Sequence, residues 1–252
     1  GRYWISFRKQ KVALFSAQGE FLGNLGADGK LYKNKEHSLG ASIYAFKQDS
    51  QGRIWMGSRN HGLFLLEESG GAFRLQQFQH DENDPYSLSS QAVYAIEEDD
   101  KGRIWIGCFG DGLNLYQEGK FINYFNHLGQ NESRPKVIRC MKYLGNNQLM
   151  IGGREGLFVM CTDFDKVENI HFYHHYKQAD NLSTLSDSEV MSILQTRKGE
   201  IWVSTNSGGI SKIIPTDNYL SNHLTFANKT RAQGLGSEIA YSLVEDKSGH
   251  IW

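Results

Sequence analysis

The side chains able to do chemistry in this 252-residue chain form a few small groups. "HFYHH" would put His171, Tyr173 and His175 on one face of a strand and His174 on the other. His171 and His175 then stand too far apart along the strand to chelate easily, and no third ligand is evident, so no metal site is expected. The acid-rich stretches "KQDSQG", "EEDDKG" and "VEDKSG" have a calcium-like composition. Each supplies too few oxygens, and the corresponding "QTRKG" has no acid, so they read as solvated turns. Three cysteines make no disulfide framework. Cys108 and Cys140 read as packing residues, and Cys161 has no evident partner. No nucleophile elbow, phosphate loop or pair of catalytic acids stands out, so no catalytic residue and no cofactor is expected. One group remains, recurring a few residues after an apolar anchor: Arg8 and Lys9, then Arg59, Asn60 and His61, then Phe109 and Asp111, then Arg154 and Glu155, then Asn206 and Ser207. Arginine and asparagine offer hydrogen bonds to hydroxyl or carboxylate groups, and Phe109 offers a face for stacking on a sugar ring.

The regular spacing of that last group leads back to the elements that must position it. All five tryptophans, Trp4, Trp55, Trp105, Trp202 and Trp252, sit in one motif, and Met150 occupies the same place in "NNQLMIGGREGLFVM". The steps between anchors are 51, 50, 45, 52 and 50 residues. A period of this length marks a solenoid unit, a propeller blade or a member of an array.

Other columns decide among these. Three residues before the anchor stand Gly1, Gly52, Gly102, Gly199 and Gly249, with Asn147 before Met150. Glycine replaced only by asparagine predicts a left-handed backbone in a tight hairpin turn. Short β-prone stretches such as "IYAF", "VYAI" and "VMSI" precede each turn. Ten residues before the anchor the residue is always small: Ala45, Ala95, Cys140, Ser192 and Ser242. Two residues after it come Ser6, Gly57, Gly107, Gly152 and Ser204. Each period therefore predicts four short antiparallel strands and no helix, which is one blade of a β-propeller. The small column falls on the innermost strand, and the anchor on the second strand fills the wedge between blades.

Composition agrees with an all-β globular region of residues 1–252, at 39% hydrophobic residues, 27 glycines and only three prolines. The net charge of −1 gives no electrostatic case for nucleic acid. No run approaches a transmembrane helix and no signal peptide opens the chain. The chain begins and ends inside a repeat, so it reads as an excised piece of something longer. About five repeats predict part of a larger propeller, or a five-bladed ring closed by "AYSLVED" against "GRYWISF".

"SLSSQAVYAIEEDDKGRIWIGCFGDGLNLY" resembles the two-component regulator propeller repeat, with further good matches at 42–66, 185–213 and 237–252 and weaker ones at 137–160 and 1–15. The resemblance implies the periplasmic sensor region of membrane-spanning hybrid histidine kinases of Bacteroidetes, with seven-bladed propellers. It also implies an immunoglobulin-like domain, a membrane helix outside this chain, and a homodimer in the full-length form. The implied signal is an oligosaccharide, relayed to the kinase, with no catalysis in the propeller itself. A protein-interaction scaffold and a carbohydrate-active lyase or hydrolase are the alternatives. A site would fall on the face shared by the second-to-third strand turns and the long blade connections, because variable loops on a rigid scaffold carry binding. That places Arg8, Arg59, Asn60, His61, Phe109, Asp111, Arg154, Glu155 and Asn206 on one candidate ligand-binding face.

Overall fold

Strands alternate their side chains between two faces, so a run such as Ile-Trp-Met-Gly-Ser can bury both faces only between two other sheets. A computed structural model shows this arrangement, and describes residues 1–7, 11–34, 36–110, 112–124, 133–166 and 169–252. The first sheet holds β1 (Arg2–Phe7), β2 (Lys11–Ser16), β3 (Phe21–Leu25) and β4 (Leu31–Tyr32) in that order. Four complete blades follow. They are β5 (Ile43–Gln48) to β8 (Ala72–Phe78) through β6 (Ile54–Ser58) and β7 (Leu63–Ser69), then β9 (Val93–Glu98), β10 (Ile104–Cys108), β11 (Gly112–Gln117) and β12 (Lys120–Asn123). The next is β13 (Ile138–Tyr143), β14 (Gln148–Gly153), β15 (Gly156–Cys161) and β16 (Phe172–His175), and the last is β17 (Val190–Gln195), β18 (Ile201–Thr205), β19 (Ile210–Ile213) and β20 (Phe226–Lys229). Every pairing is antiparallel, and the innermost strands β5, β9, β13 and β17 follow one another around the axis.

The core lies between sheets. Trp55 is fully buried with Ile104 and Ile106 of the next blade, Trp105 with Ile151 and Phe158, and Met150 with Ile201 and Val203. Trp4 meets Phe73 of the second sheet edge-on at 5.5 Å. Leu39, Leu88 and Leu185, from the Ser-Leu or Thr-Leu dipeptides of the connections, plug the same wedges. The small columns have a direct cause. A Cβ on Gly107 would lie 2.4 Å from Ile138 Cγ2, and one on Gly57 would lie 2.7 Å from Val93 Cγ1. The innermost strand of each following blade presses on that position. The turn glycines Gly52, Gly102, Gly199 and Gly249 have φ between 73° and 85°, and Asn147 has φ 57°, as the glycine-or-asparagine column predicts.

The "DSQG"-type turns depart from the solvated reading. Asp49 and Asp99 are buried, each accepting four hydrogen bonds. For Asp99 the donors are the backbone N–H groups of Lys101 and Arg103, both at 3.0 Å, Arg103 Nε at 2.7 Å and Trp105 Nε1 at 2.9 Å. Asp49 takes Trp55 Nε1 at 2.8 Å and Arg53 Nε at 2.6 Å. Asp246 takes Trp252 Nε1 at 3.0 Å. In the last blade, where Thr196 stands for the aspartate, Glu200 accepts from Trp202 Nε1 at 3.4 Å and pairs with Lys212. Met150 has no N–H to satisfy, and its turn has no acid. The carboxylate is thus a clamp on the tryptophan of its own blade, because a buried indole N–H left without an acceptor is costly.

The ring is not closed by five blades. Trp4 pairs with Leu14 as Trp55 does with Leu65, so β1 corresponds to the second strand of the other blades. Its sheet therefore has no innermost strand, and among the described residues β1 pairs only with β2. The C-terminal residues instead begin a further hairpin of their own, bridging Glu245 to Ile251, with Val244 and Trp252 exchanging backbone hydrogen bonds. Those residues repeat the part played by β1 and cannot also complete its sheet. The fold is part of a larger propeller.

Candidate functional site

Each innermost strand carries one extra residue. The register skips Tyr44 between Ile43 and Ala45, Arg139 between Ile138 and Cys140, and Met191 between Val190 and Ser192. Tyr94 is skipped in the same way between Val93 and Ala95. A bulge re-aims the side chain it carries. Here the bulged residues form a row along the inner edge of the blades, beside the small column that lets the strands approach.

The turns after the second strands reach the same edge. The amide of Arg59 donates to Ser42 O, Phe109 to Ala92 O, Arg154 to Val137 O and Asn206 to Glu189 O. Gly62 and Gly110 donate across to the next connection, at Gln91 O and Lys136 O. The turns and the blade connections therefore share one face, as the sequence predicts, and the hydrogen bonds hold them to the rigid strands.

Together the two sets make a continuous cluster across four blades. Tyr44 and Tyr94 lie 4.9 Å apart, and Tyr94 lies 5.1 Å from Phe109. The guanidinium carbons of Arg139 and Arg154 sit over the Phe109 ring at 5.4 and 5.6 Å. Arg139 Nη2 donates to Glu189 Oε1 at 2.5 Å, and Asn206 Nδ2 donates to the other oxygen, Oε2, at 2.9 Å. Burial raises the Tyr94 hydroxyl above its ordinary pKa and neighbouring Tyr44 adds to it, while the positive charges of Arg59 and Arg139 act the other way. The cluster can stack against a ring and present guanidinium and carboxylate groups to polar substituents.

The candidate residues separate accordingly. Arg59, Phe109, Arg154 and Asn206 come together at the inner edge. Phe109 already carries two guanidinium groups and Tyr94, so its ring works as a platform for arginines rather than as an open stacking surface. Asn60 and His61 bond to each other through Oδ1 and Nδ1 at 2.8 Å, and His61 O accepts from Gln77 Nε2, so this pair faces the outer strand of its blade. Glu155 turns back to the scaffold, its Oε2 accepting from the Val137 amide at 3.3 Å and its carbonyl from His174 Nε2 at 2.8 Å. Arg8 and Asp111 lie outside the described residues. Tyr44, Tyr94, Arg139 and Glu189 were not among the sequence candidates. Their signal was available: a large, changing residue stands directly before the invariably small column, as Tyr44, Tyr94, Arg139, Met191 and Tyr241.

Residues 38–60, 87–110 and 184–207 match the family described as two component regulator propeller. Three of the chain's repeats are thus similar to the two component regulator propeller repeat. The matched stretches are those anchored by Trp55, Trp105 and Trp202, each running from the Ser-Leu or Thr-Leu dipeptide of its connection through the second strand into the turn that carries the candidate residues. No curated protein matches the chain. Among solved structures, virginiamycin B lyase from Staphylococcus aureus is similar at 13% identity and a TM-score of 0.66, over 100% of this chain and 73% of the lyase. PorZ, a surface component of the type-IX secretion system of Porphyromonas gingivalis, is similar at 14% identity and a TM-score of 0.62, over 100% of this chain and 37% of PorZ. Both likenesses show the propeller fold alone. The extracellular domain of a protein described as a hybrid two component system from B. thetaiotaomicron aligns at 18% identity, over 99% of this chain and 39% of that one, with a TM-score of 0.48 that carries no argument.

Proposed function

We propose that this two component regulator propeller region is the ligand-sensing part of an extracytoplasmic receptor, and that it takes an oligosaccharide at the inner edge of its blades. The observation that carries the reading is the cluster of Tyr44, Tyr94, Phe109, Arg139 and Arg154, held by bulges and turns on one face. Aromatic rings beside forked donors suit a sugar, which offers apolar ring faces and a rim of hydroxyls. The reading places the region in the periplasm, with a membrane anchor, an immunoglobulin-like or second propeller neighbour, a histidine kinase and a dimer partner outside these residues. Among the described residues no helix is long and apolar enough to cross a membrane.

The clamped turns and dry wedges make each blade stiff, so a signal would pass as movement between whole propellers or subunits rather than within a blade. A ligand that binds two arrangements equally well shifts neither, so recognition must differ between them. The test is calorimetric titration of the full-length extracytoplasmic protein with a panel of oligosaccharides, comparing wild type with Tyr94→Ala. Binding that weakens about tenfold or more in the variant supports the reading, at the 1–3 kcal/mol expected of a stacking contact. Binding unaffected by Tyr94→Ala moves recognition elsewhere. The absence of binding across the panel favours an interaction scaffold.

A further inference from the structure

We infer that the ligand taken at this edge carries an acidic group, a carboxylate or a sulfate, and that Arg59 and Arg154 hold it. The inference rests on the oligosaccharide reading above and names the chemistry of its ligand. Three guanidinium groups approach one short row of aromatic rings. Arg139 is already matched, since Glu189 accepts from it at 2.5 Å and Asn206 fixes the second carboxylate oxygen. Arg59 and Arg154 form no ion pair among the described residues. The acid next to Arg154 in sequence, Glu155, is spent on the Val137 amide and leaves that charge uncompensated.

Local charge of this kind is not a by-product of a basic chain, because the net charge is −1. The Phe109 ring lies against the Arg154 guanidinium at 5.6 Å. A guanidinium resting on a ring keeps its N–H edge free, and that planar fork matches the paired oxygens of a carboxylate or sulfate. Arg59, one blade away, places its charge beside Tyr94, which in turn contacts Phe109 at 5.1 Å. The two unmatched charges thus flank the Tyr94–Phe109 pair from neighbouring blades. A neutral sugar lying over them would leave both without a counter-charge. An acidic one supplies it.

The experiment is calorimetric titration of the full-length protein with three probes: a galacturonate trisaccharide, the neutral galactose trisaccharide of the same linkage, and a sulfated disaccharide. Each is measured against wild type and the double variant Arg59→Gln/Arg154→Gln, at low and at 0.5 M salt. Both arginines are exposed, and thermal unfolding of the variant checks that the blades remain folded. The expected result is acidic binding at least about tenfold tighter than neutral and weakened by salt, with that preference abolished in the double variant, which loses far more affinity for the acidic probes than for the neutral one. Preference between the first and third probes identifies the carboxylate or the sulfate as the source. Neutral binding equal to or tighter than acidic, or acidic binding retained by the double variant, overturns the inference while leaving oligosaccharide recognition standing. Failure of all three probes to bind overturns both.

Discussion

Asp99 receives four hydrogen bonds within a buried turn, and two of the donors are side chains, that of Trp105 on the second strand of its blade and that of Arg103 just before it. Replacing it by alanine strands the indole N–H of Trp105 and takes the acceptor from Arg103 Nε, whose Nη2 still donates to Thr162 O. Asp99→Ala should therefore cost about 2–4 kcal/mol in urea unfolding, while Asp163→Ala, which removes an exposed ion pair with Lys101, should cost far less. Equal losses would make the clamp no more than another turn. His175 gives a second residue-scale prediction. It is buried against Phe226, its Nε2 has no hydrogen-bond partner among the described residues, and burial together with His174 and His223 lowers its pKa from 6.5 to about 4, against the pull of the Ser221 carbonyl. The unfolded chain binds a proton there that the folded one refuses, so the associated stability is full above pH 6.5 and is lost as pH falls from 6.5 towards 4. His175→Phe should flatten that part of the stability profile, a change of order 1–3 kcal/mol between its ends. An unchanged slope would show that another group sets it. The clamp itself was half legible in the sequence: the D-x-x-G spelling announced a turn, but only its pairing with tryptophan, and its absence beside Met150, hinted that the acid faces inward.

At the scale of the element, strands, turns and wedge anchors were readable because each follows from a column with one physical demand. The glycine-or-asparagine column needs a left-handed backbone, and the small columns need room for the next blade. Gly107→Ala should be among the most damaging single-methyl changes in the chain, since its Cβ would sit 2.4 Å from Ile138 Cγ2 and 3.1 Å from Ala95 Cβ. A loss of about 2–3 kcal/mol is expected, against about 1–2 kcal/mol at the open, positive-φ position Gly102. Thermal unfolding of the two variants ranks them, and the reverse order would place the crowding elsewhere. The bulges were not readable. A single extra residue leaves the apolar pattern on either side almost unchanged, so the sequence shows a large residue beside a small one without saying that the strand skips it. That is why Tyr44, Tyr94 and Arg139 escaped notice while the turn residues Arg59, Phe109 and Arg154, set at fixed distances from the anchors, did not.

For the whole molecule, the two ends of the array are its unfinished surfaces. Among the described residues β1 pairs with β2 alone, and Phe7, Phe15 and Phe21 border an apolar trough of about 490 Å³ on the first sheet. At the other end Tyr241, Val244 and Trp252 are exposed. Unpaired edges and apolar faces pair with whatever is available. Residues 1–252 expressed alone should self-associate as concentration rises in analytical ultracentrifugation, and a strictly monomeric species up to about 100 µM would argue that these surfaces are covered from within. The larger claim is that a stiff array of blades presents its recognition surface at the inner edge of one face. Hydrogen–deuterium exchange of the full-length protein, with and without an oligosaccharide that binds it, tests this most directly. Protection confined to the bulges and turns around residues 42–45, 92–95, 137–140, 154 and 206 is the predicted result. Protection centred on the clamped hairpins at 49–53, 99–103 and 196–200 instead would contradict it.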